Sequence, residues 1–173
     1  MNLWFRMFLV FIEGWRSSRI AVLGESKLHF RTWFTDLDFN LHMNNGRYLT
    51  FMDLGRIDLM VRTGLMQTIL QDKWMPVVGS AHVTFRRSLR PFQAFQLTTQ
   101  VVAWDQKWFY MEQTFYSNNK LYARGLVKAS LMDRDGLIPT EKILALLGGD
   151  PLPPPLPLRW QQIVVGDQNL HLE

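Results

Sequence analysis

The sequence predicts an α+β fold in which one antiparallel sheet curls around a single long central helix, with an extra helix in front. Three observations carry that prediction. Residues 46–64 read as a helix that is apolar over most of its circumference. The second half of the chain is a succession of segments that alternate apolar and polar residues. The links between those segments are of hairpin length, which calls for antiparallel pairing and not for parallel crossovers. The 173 residues are 47% apolar and 20% charged, enough for one hydrophobic core and wrong for a disordered or low-complexity chain.

Taken in order, Leu3 to Ile12 is an apolar run interrupted by Arg6 and followed by Arg16 and Arg19. Its charge falls mostly after the run and no Ala-x-Ala follows, so the expectation is against a secretory signal peptide. The run is also short of the ~18–20 residues a membrane span needs. Two readings stay open: an aromatic helix packed on the domain or its dimer mate, and a helix lying in a bilayer interface with Trp4 and Phe5 inward and Arg16 and Arg19 near headgroups. Leu28, Phe30, Thr32 and Phe34 then alternate with polar neighbours as a first strand. A polar stretch follows, from Thr35 to Asn45. Asn44 and Asn45 are capping candidates for the central helix and Gly64 is its stop, while Tyr48, Met52, Leu59, Phe51, Leu54 and Val61 spread around it.

Four strands come next, around residues 81–86, 95–103, 109–115 and 121–131, joined by Asp105-Gln106-Lys107, Ser117-Asn118-Asn119 and Asp133-Arg134-Asp135-Gly136, all turn-forming residue types. Pro139 opens a short helix through Leu147. Asp150 to Pro157 holds five of the eight prolines and reads as an extended arm, before a tail with Trp160, Ile163 and Val164. The expected organisation is an aromatic helix over residues 1–25, a main domain over 26–148, and a proline-rich arm and tail over 149–173.

Composition narrows the chemistry. There is no cysteine, which excludes disulfides, thiolate zinc sites and cysteine nucleophiles and fits a reducing compartment. The net charge of +4 is carried by scattered Lys and Arg, not by the clustered basic face that nucleic acid requires. No phosphate-binding glycine loop, dinucleotide fingerprint, Gly-x-Ser-x-Gly elbow or His-Glu-x-x-His is present. The four histidines, His29, His42, His82 and His171, have no metal-ligand spacing, so neither a metal nor a cofactor is expected.

One stretch stands out. Asp38, Asn40 and His42 place a carboxylate, an amide and an imidazole two residues apart, directly before the central helix. An ionised carboxylate can attack an acyl carbon or take a proton from water, an imidazole can carry a proton near neutral pH, and amide donors at the helix start, around Asn45, Gly46 and Arg47, can hold an oxyanion. On composition alone the same residues can equally be turn formers and caps. Arg86, Arg87 and Arg90 form a basic cluster suited to phosphates or to a solvated strand edge. Asp53, Arg56 and Asp58 are spaced for ion pairs on the central helix, and Trp104, Trp108, Phe109 and Tyr110 can line an acyl channel or pack a core.

The pattern Asp38-x-Asn40-x-His42-x-Asn44-Asn45-x-x-Tyr48 resembles hotdog-fold acyl thioesterases, the 4-hydroxybenzoyl-CoA thioesterase and plant acyl-carrier-protein thioesterase superfamily with its short bacterial and animal members. The likeness covers roughly residues 26–148, and Asp135-Gly136-x-x-Pro139 continues it more loosely. Leu41 and Met43 stand where that family usually has Gly or Gln and Val, and Ser88 stands where plant-type enzymes carry a further acid. The resemblance implies a single hotdog domain that hydrolyses an acyl thioester on coenzyme A or acyl carrier protein. It implies Asp38 as nucleophile or general base and Asn40 and His42 as the residues that position it and the water; beside it, the reading of the residues themselves puts Asn45, Gly46, Tyr48, Arg86 and Arg87 around the substrate. A hotdog unit rarely covers its long strands alone, so a homodimer or homotetramer is expected. The N-terminal helix lies outside the likeness; it is expected to pack on protein with weak membrane-surface contact, in a cytoplasmic or peripheral-membrane setting. A non-catalytic acyl- or lipid-binding hotdog protein is the alternative, and a hotdog hydratase the third reading.

Overall fold

In the computed structural model, which describes residues 3–149 and 152–170, the chain opens with helix α1 (Leu3–Arg16) and strand β1 (Ser26–Arg31), then a short 3-10 turn at Phe34–Asp36. Helix α2 (Asn45–Thr63) begins where the Asn44 side chain accepts the Gly46 N–H at 2.9 Å. It ends where Gly64 takes φ +88°, a left-handed conformation that a residue without Cβ adopts freely. Helix α3 (Leu65–Asp72) follows at once. The remaining strands are β2 (Met75–Phe85), β3 (Ala94–Trp104), β4 (Phe109–Ser117), β5 (Lys120–Asp133) and the two-residue β6 (Gly136–Leu137), before helices α4 (Thr140–Leu147) and α5 (Leu158–Leu170).

The strands form one antiparallel sheet in the order β1-β3-β4-β5-β2, with β6 on β5. Hairpin links keep β3, β4 and β5 adjacent; Asn118 and Asn119, both at positive φ, make the tight turn between the last two. Strand β2 instead crosses to the far edge and pairs with β5 from Met75↔Met132 to Phe85↔Ala123. Helix α2 lies in the concave face. Tyr48, Phe51, Met52 and Leu54 pack with Leu97, Phe115 and Val127 at one end, and Leu59 and Val61 with Val101, Phe109 and Leu131 at the other. The approach is close: a Cβ on Gly55 would sit 2.9 Å from Gln113 Nε2, and Gln113 is buried, donating to Met52 O and Thr99 Oγ1 at 2.9 Å each. This is the hotdog arrangement, with α2 as the wrapped helix.

Helix α1 packs on α2 through its Arg6–Val10–Gly14 face. Gly14 permits the contact, since a Cβ there would lie 3.0 Å from Val61 Cγ1. The pattern-based boundaries differ from the structure in several places, among them the start of β2 at Met75 where the pattern begins at residue 81. Strand β1 stops at Arg31, because Phe34 already belongs to the 3-10 turn. Residues 65–72 continue as α3 past the Gly64 stop. The tail is a helix: Trp160, Ile163 and Val164, at helical spacing, pack α5 on Ala103, Tyr110 and Leu126 of the sheet's outer face. Glu112 anchors α5 by accepting from Arg159 Nε at 2.8 Å and from the Trp160 indole. Asp150, Pro151 and His171 lie outside the described residues.

Candidate active site

The polar stretch before α2 separates two aspartates that the sequence places side by side. Asp36 is fully buried and taken up by cations. Its carboxylate accepts from Arg6 Nη1 at 2.9 Å and Nη2 at 2.6 Å, from Arg47 Nη2 at 2.8 Å and Nε at 3.1 Å, and from the Trp33 N–H at 2.8 Å. Burial alone would raise its pKa, but the hydrogen bonds from Arg6, Arg47 and Trp33 more than offset that and hold the carboxyl below its ordinary value. Asp36 is a structural anchor.

Asp38 is half-buried and meets no cation among the described residues. Leu37 and Met43 form an antiparallel bridge, and the Asp38 N–H donates to His42 O at 2.8 Å, so residues 38–42 make a tight turn. Asp38 Oδ1 accepts the Asn40 N–H at 2.9 Å and the His42 N–H at 3.4 Å, the self-bonding turn that aspartate favours. Leu41 closes the turn at φ +56°, a left-handed conformation. The structure thus brings Asp38, Asn40 and His42 together through backbone bonds, with Asn40 exposed and His42 half-exposed. The loop is fixed to the body by Met43 N–H on Leu89 O and Asn44 N–H on Asp36 O, both 2.9 Å.

The remaining candidates divide. The His42 side chain lines a cavity of about 610 Å³ with Arg87, Ser88, Arg90, Gln93 and Tyr122, so two of the three clustered arginines face the turn. Arg86 is exposed beside them and does not line that cavity. At the start of α2 the expected set of amide donors is reduced: Gly46 N–H donates to the Asn44 side chain and Arg47 N–H to Asn44 O, leaving the Asn45 N–H without a partner among the described residues. Tyr48 is 1% exposed, stacked edge-on between Phe85 and Phe115 at 5.0 and 4.9 Å. Its ring sits in the core that holds the helix start, and no surface of it is open to a ligand. Among the described residues no group of three or more His, Asp and Glu stands together to hold a metal ion.

An apolar cavity of about 360 Å³ opens at the other end of α2, between Ile57 and Met60, the β2 residues Pro76, Val77 and Val78, and Leu131 with Ile143. Asp53 and Arg56 line it as an ion pair, with Arg56 also donating to Gln113 Oε1 at 2.9 Å. Desolvation raises Asp53 and lowers Arg56. From Asn45 to Asp53, the first α2 residue on its wall, is about 12 Å along a helix axis, and no residue lines both this cavity and the one at the turn.

A family model described as the thioesterase-like superfamily matches residues 32–160. The chain belongs to that superfamily. Protein THEM6 of Danio rerio is 38% identical over 117 residues, 68% of this chain and 56% of that one. A probable thioesterase of Saccharomyces cerevisiae is 29% identical over 82 residues, 46% of this chain and 35% of that one. The chain spans about half the length of the first curated relatives it matches. A crystal structure of a 4-hydroxybenzoyl-CoA thioesterase bound to 4-hydroxybenzoyl-CoA superposes with a TM-score of 0.64 at 15% identity, over 71% of this chain and 97% of that one, which is likeness of fold.

Two features of this superfamily member escape pattern reading. Arg6 looks like a break in an apolar run, yet its guanidinium is the main partner of Asp36, thirty residues away, and lies 4.6 Å from the Phe51 ring. Both Arg6 and α1 lie outside the residues that match the family. The apolar cavity draws on α2, four strands and α4, and no local stretch announces it.

Proposed function

We propose that the chain hydrolyses acyl thioesters of coenzyme A or acyl carrier protein, with Asp38 as nucleophile or general base. The observation that carries this reading is the contrast between the two aspartates. Asp36 has its charge consumed by Arg6 and Arg47, whereas Asp38 is held by two backbone amides in a turn with Asn40 and His42, half-open and without a cation. An ionised carboxylate so placed can attack the thioester carbon directly or deprotonate water that does. On the nucleophilic route an Asp38 oxygen bonds the acyl carbon as the C–S bond breaks, the sulfur leaves as the thiol with a proton, and water then cleaves the acyl–Asp38 anhydride to give the acid and restore the carboxylate; on the general-base route water attacks the carbon directly, and the proton that Asp38 takes from it leaves with the thiol. His42, on the wall of the basic cavity, carries the proton. The Asn45 N–H, at the positive end of α2, is the donor for the developing oxyanion. Arg87 and Arg90 in that cavity, with Arg86 beside it, suit the phosphates of a coenzyme A or phosphopantetheine carrier.

The acyl group belongs in the apolar cavity, and a second copy of the chain is what joins it to the turn. Strand β2 is an eleven-residue edge strand with no fully buried residue, and its outer edge has no strand partner among the described residues. Such an edge invites pairing. Two copies of β2 about a two-fold axis run antiparallel, so the Phe85 end of one meets the Met75 end of the other. Phe85 abuts Tyr48 at the start of α2, and Pro76, Val77 and Val78 wall the cavity. The homodimer therefore sets the turn of one protomer beside the acyl cavity of its partner.

The test is Asp38→Asn, which keeps the shape and removes the attacking charge. Turnover of acyl-CoA substrates, from acetyl to palmitoyl and including aromatic acyl groups, should fall by ~100-fold or more with an unchanged melting temperature. Near wild-type hydrolysis by this variant would remove Asp38 from the mechanism.

A further inference from the structure

The outward face of α1 is apolar, and the reading above does not use it. Trp4, Phe5, Phe8, Leu9, Ile12 and Trp15 are 69, 52, 59, 41, 40 and 77% exposed. At 100° per residue they fill one arc of about 140° on the helix, with no charged side chain inside its first three turns. The opposite face is committed: Arg6, Val10 and Gly14 are buried against α2 and Asp36. Soluble proteins seldom expose six large apolar side chains in one patch, and patches of this kind mark interaction surfaces.

We propose that this face binds a lipid bilayer surface, with α1 lying flat in the interfacial layer. Three observations favour lipid over a second copy of the chain. The charges next to the arc are cationic. Arg16 closes it, exposed and with no anionic partner among the described residues, Arg19 follows, and Glu13, the one acid of α1, falls outside the arc. Two copies packed through this face would set arginine against a surface with no carboxylate to answer it, whereas anionic headgroups supply one. The composition is that of an interfacial helix, with tryptophan at both ends of the apolar face and aromatic residues between. The geometry fixes the depth: α1 cannot turn into the bilayer while Arg6 is held at 2.6 Å by Asp36, and no helix among the described residues is long and apolar enough to cross one. The same ion pair ties the lipid-facing helix to the loop that carries Asp38, and that loop exposes Phe34, Phe39 and Leu41 at 68, 92 and 63%. Amphipathic long-chain acyl thioesters, which partition into bilayers, are the substrates such a placement favours.

The experiment is co-sedimentation of the full chain with phosphatidylcholine vesicles, with and without phosphatidylglycerol, at low and high salt. The wild type should sediment with the anionic vesicles more than with the neutral ones. Phe8→Ser/Ile12→Ser, which touches neither Arg6 nor the Asp38 turn, should weaken that binding by ~100-fold, as expected for taking two large apolar side chains out of the interface. Arg16→Glu should remove the preference for anionic lipid while leaving salt-insensitive binding. Melting curves and hydrolysis of a short-chain acyl-CoA in free solution show that the variants are folded, and that turnover stands or falls separately from lipid binding. A wild type that stays in the supernatant with both vesicles, or serine variants that bind as tightly as wild type, overturns the proposal. So does a serine variant that dissociates an oligomer without changing sedimentation, because the face is then an interface between copies.

Discussion

The Arg6–Asp36–Arg47 cluster allows a sharp test of how α1 is held. In Asp36→Asn the Arg6 guanidinium, whose side chain is 1% exposed, loses the carboxylate it is paired with, while Arg47, 25% exposed, can turn to water. Arg6 Nε already has no hydrogen-bond partner among the described residues, and the Arg31 carbonyl, 3.5 Å from Nη2, is a neutral acceptor that cannot replace a carboxylate. Removing one member of a buried ion pair costs about 3–5 kcal/mol, and this variant belongs at the upper end. Arg6→Met belongs at the lower end: Asp36 keeps Arg47 and the Trp33 N–H, and the apolar chain packs on Phe51 where the guanidinium now lies. The double variant Arg6→Met/Asp36→Asn has no stranded charge and should be no less stable than Asp36→Asn alone. At roughly 2–4 °C per kcal/mol for a chain of this size, thermal melts should place Asp36→Asn about 10–20 °C below wild type. Acid adds a second check. Because the folded-state pKa of Asp36 is depressed, its stabilising contribution is full above the unfolded value of about 3.9 and drains away as pH falls through the lower folded value. The gap between wild type and Asp36→Asn should therefore narrow on acidification. Losses that simply add in the double variant, or an Asp36→Asn milder than Arg6→Met, would refute the buried-charge account.

Other substitutions probe single contacts. Gly55→Ala pushes a methyl group against Gln113 and Thr99 where α2 lies closest to the sheet, and should lower the urea midpoint by an amount equal to about 1–3 kcal/mol; an unchanged midpoint would mean that the helix can lift off the sheet freely. Leu41→Gly should have the opposite sign. The left-handed backbone costs a side chain about 1–2 kcal/mol, glycine gives back about 0.5–1 in unfolded-chain entropy, and Leu41 is mostly exposed, so a net gain of about 0.5–1 kcal/mol is expected in the same assay.

What the sequence made legible and what it hid divide along one physical line. The central helix could be read because its start, its stop and its core faces are all local: Asn44 caps it, Gly64 ends it, and Tyr48 through Val61 are apolar around its circumference. The turn before it could be read for the same reason, since Asp38, Asn40 and His42 are bound to one another by bonds spanning two to four residues. The helical tail was equally local, for Trp160, Ile163 and Val164 stand at helical spacing, but the prolines just ahead favour an extended reading. Long-range partners were beyond reach. Spacing singles out Asp38 with Asn40 and His42, but nothing in residues 35–48 shows that Asp36 is buried and paired; that depends on Arg6, thirty residues upstream, in a run whose other side chains mark it as apolar. Tyr48 fits a substrate-facing motif by position, yet the rings of Phe85 and Phe115 close over it from strands that arrive later in the chain. The apolar cavity is the extreme case. It takes its walls from α2, β2 to β5 and α4, and on the proposed reading only a two-fold pairing of β2 edges would set it beside Asp38. A local motif can therefore offer the polar candidates, while an apolar cavity of this kind exists only once the sheet is assembled.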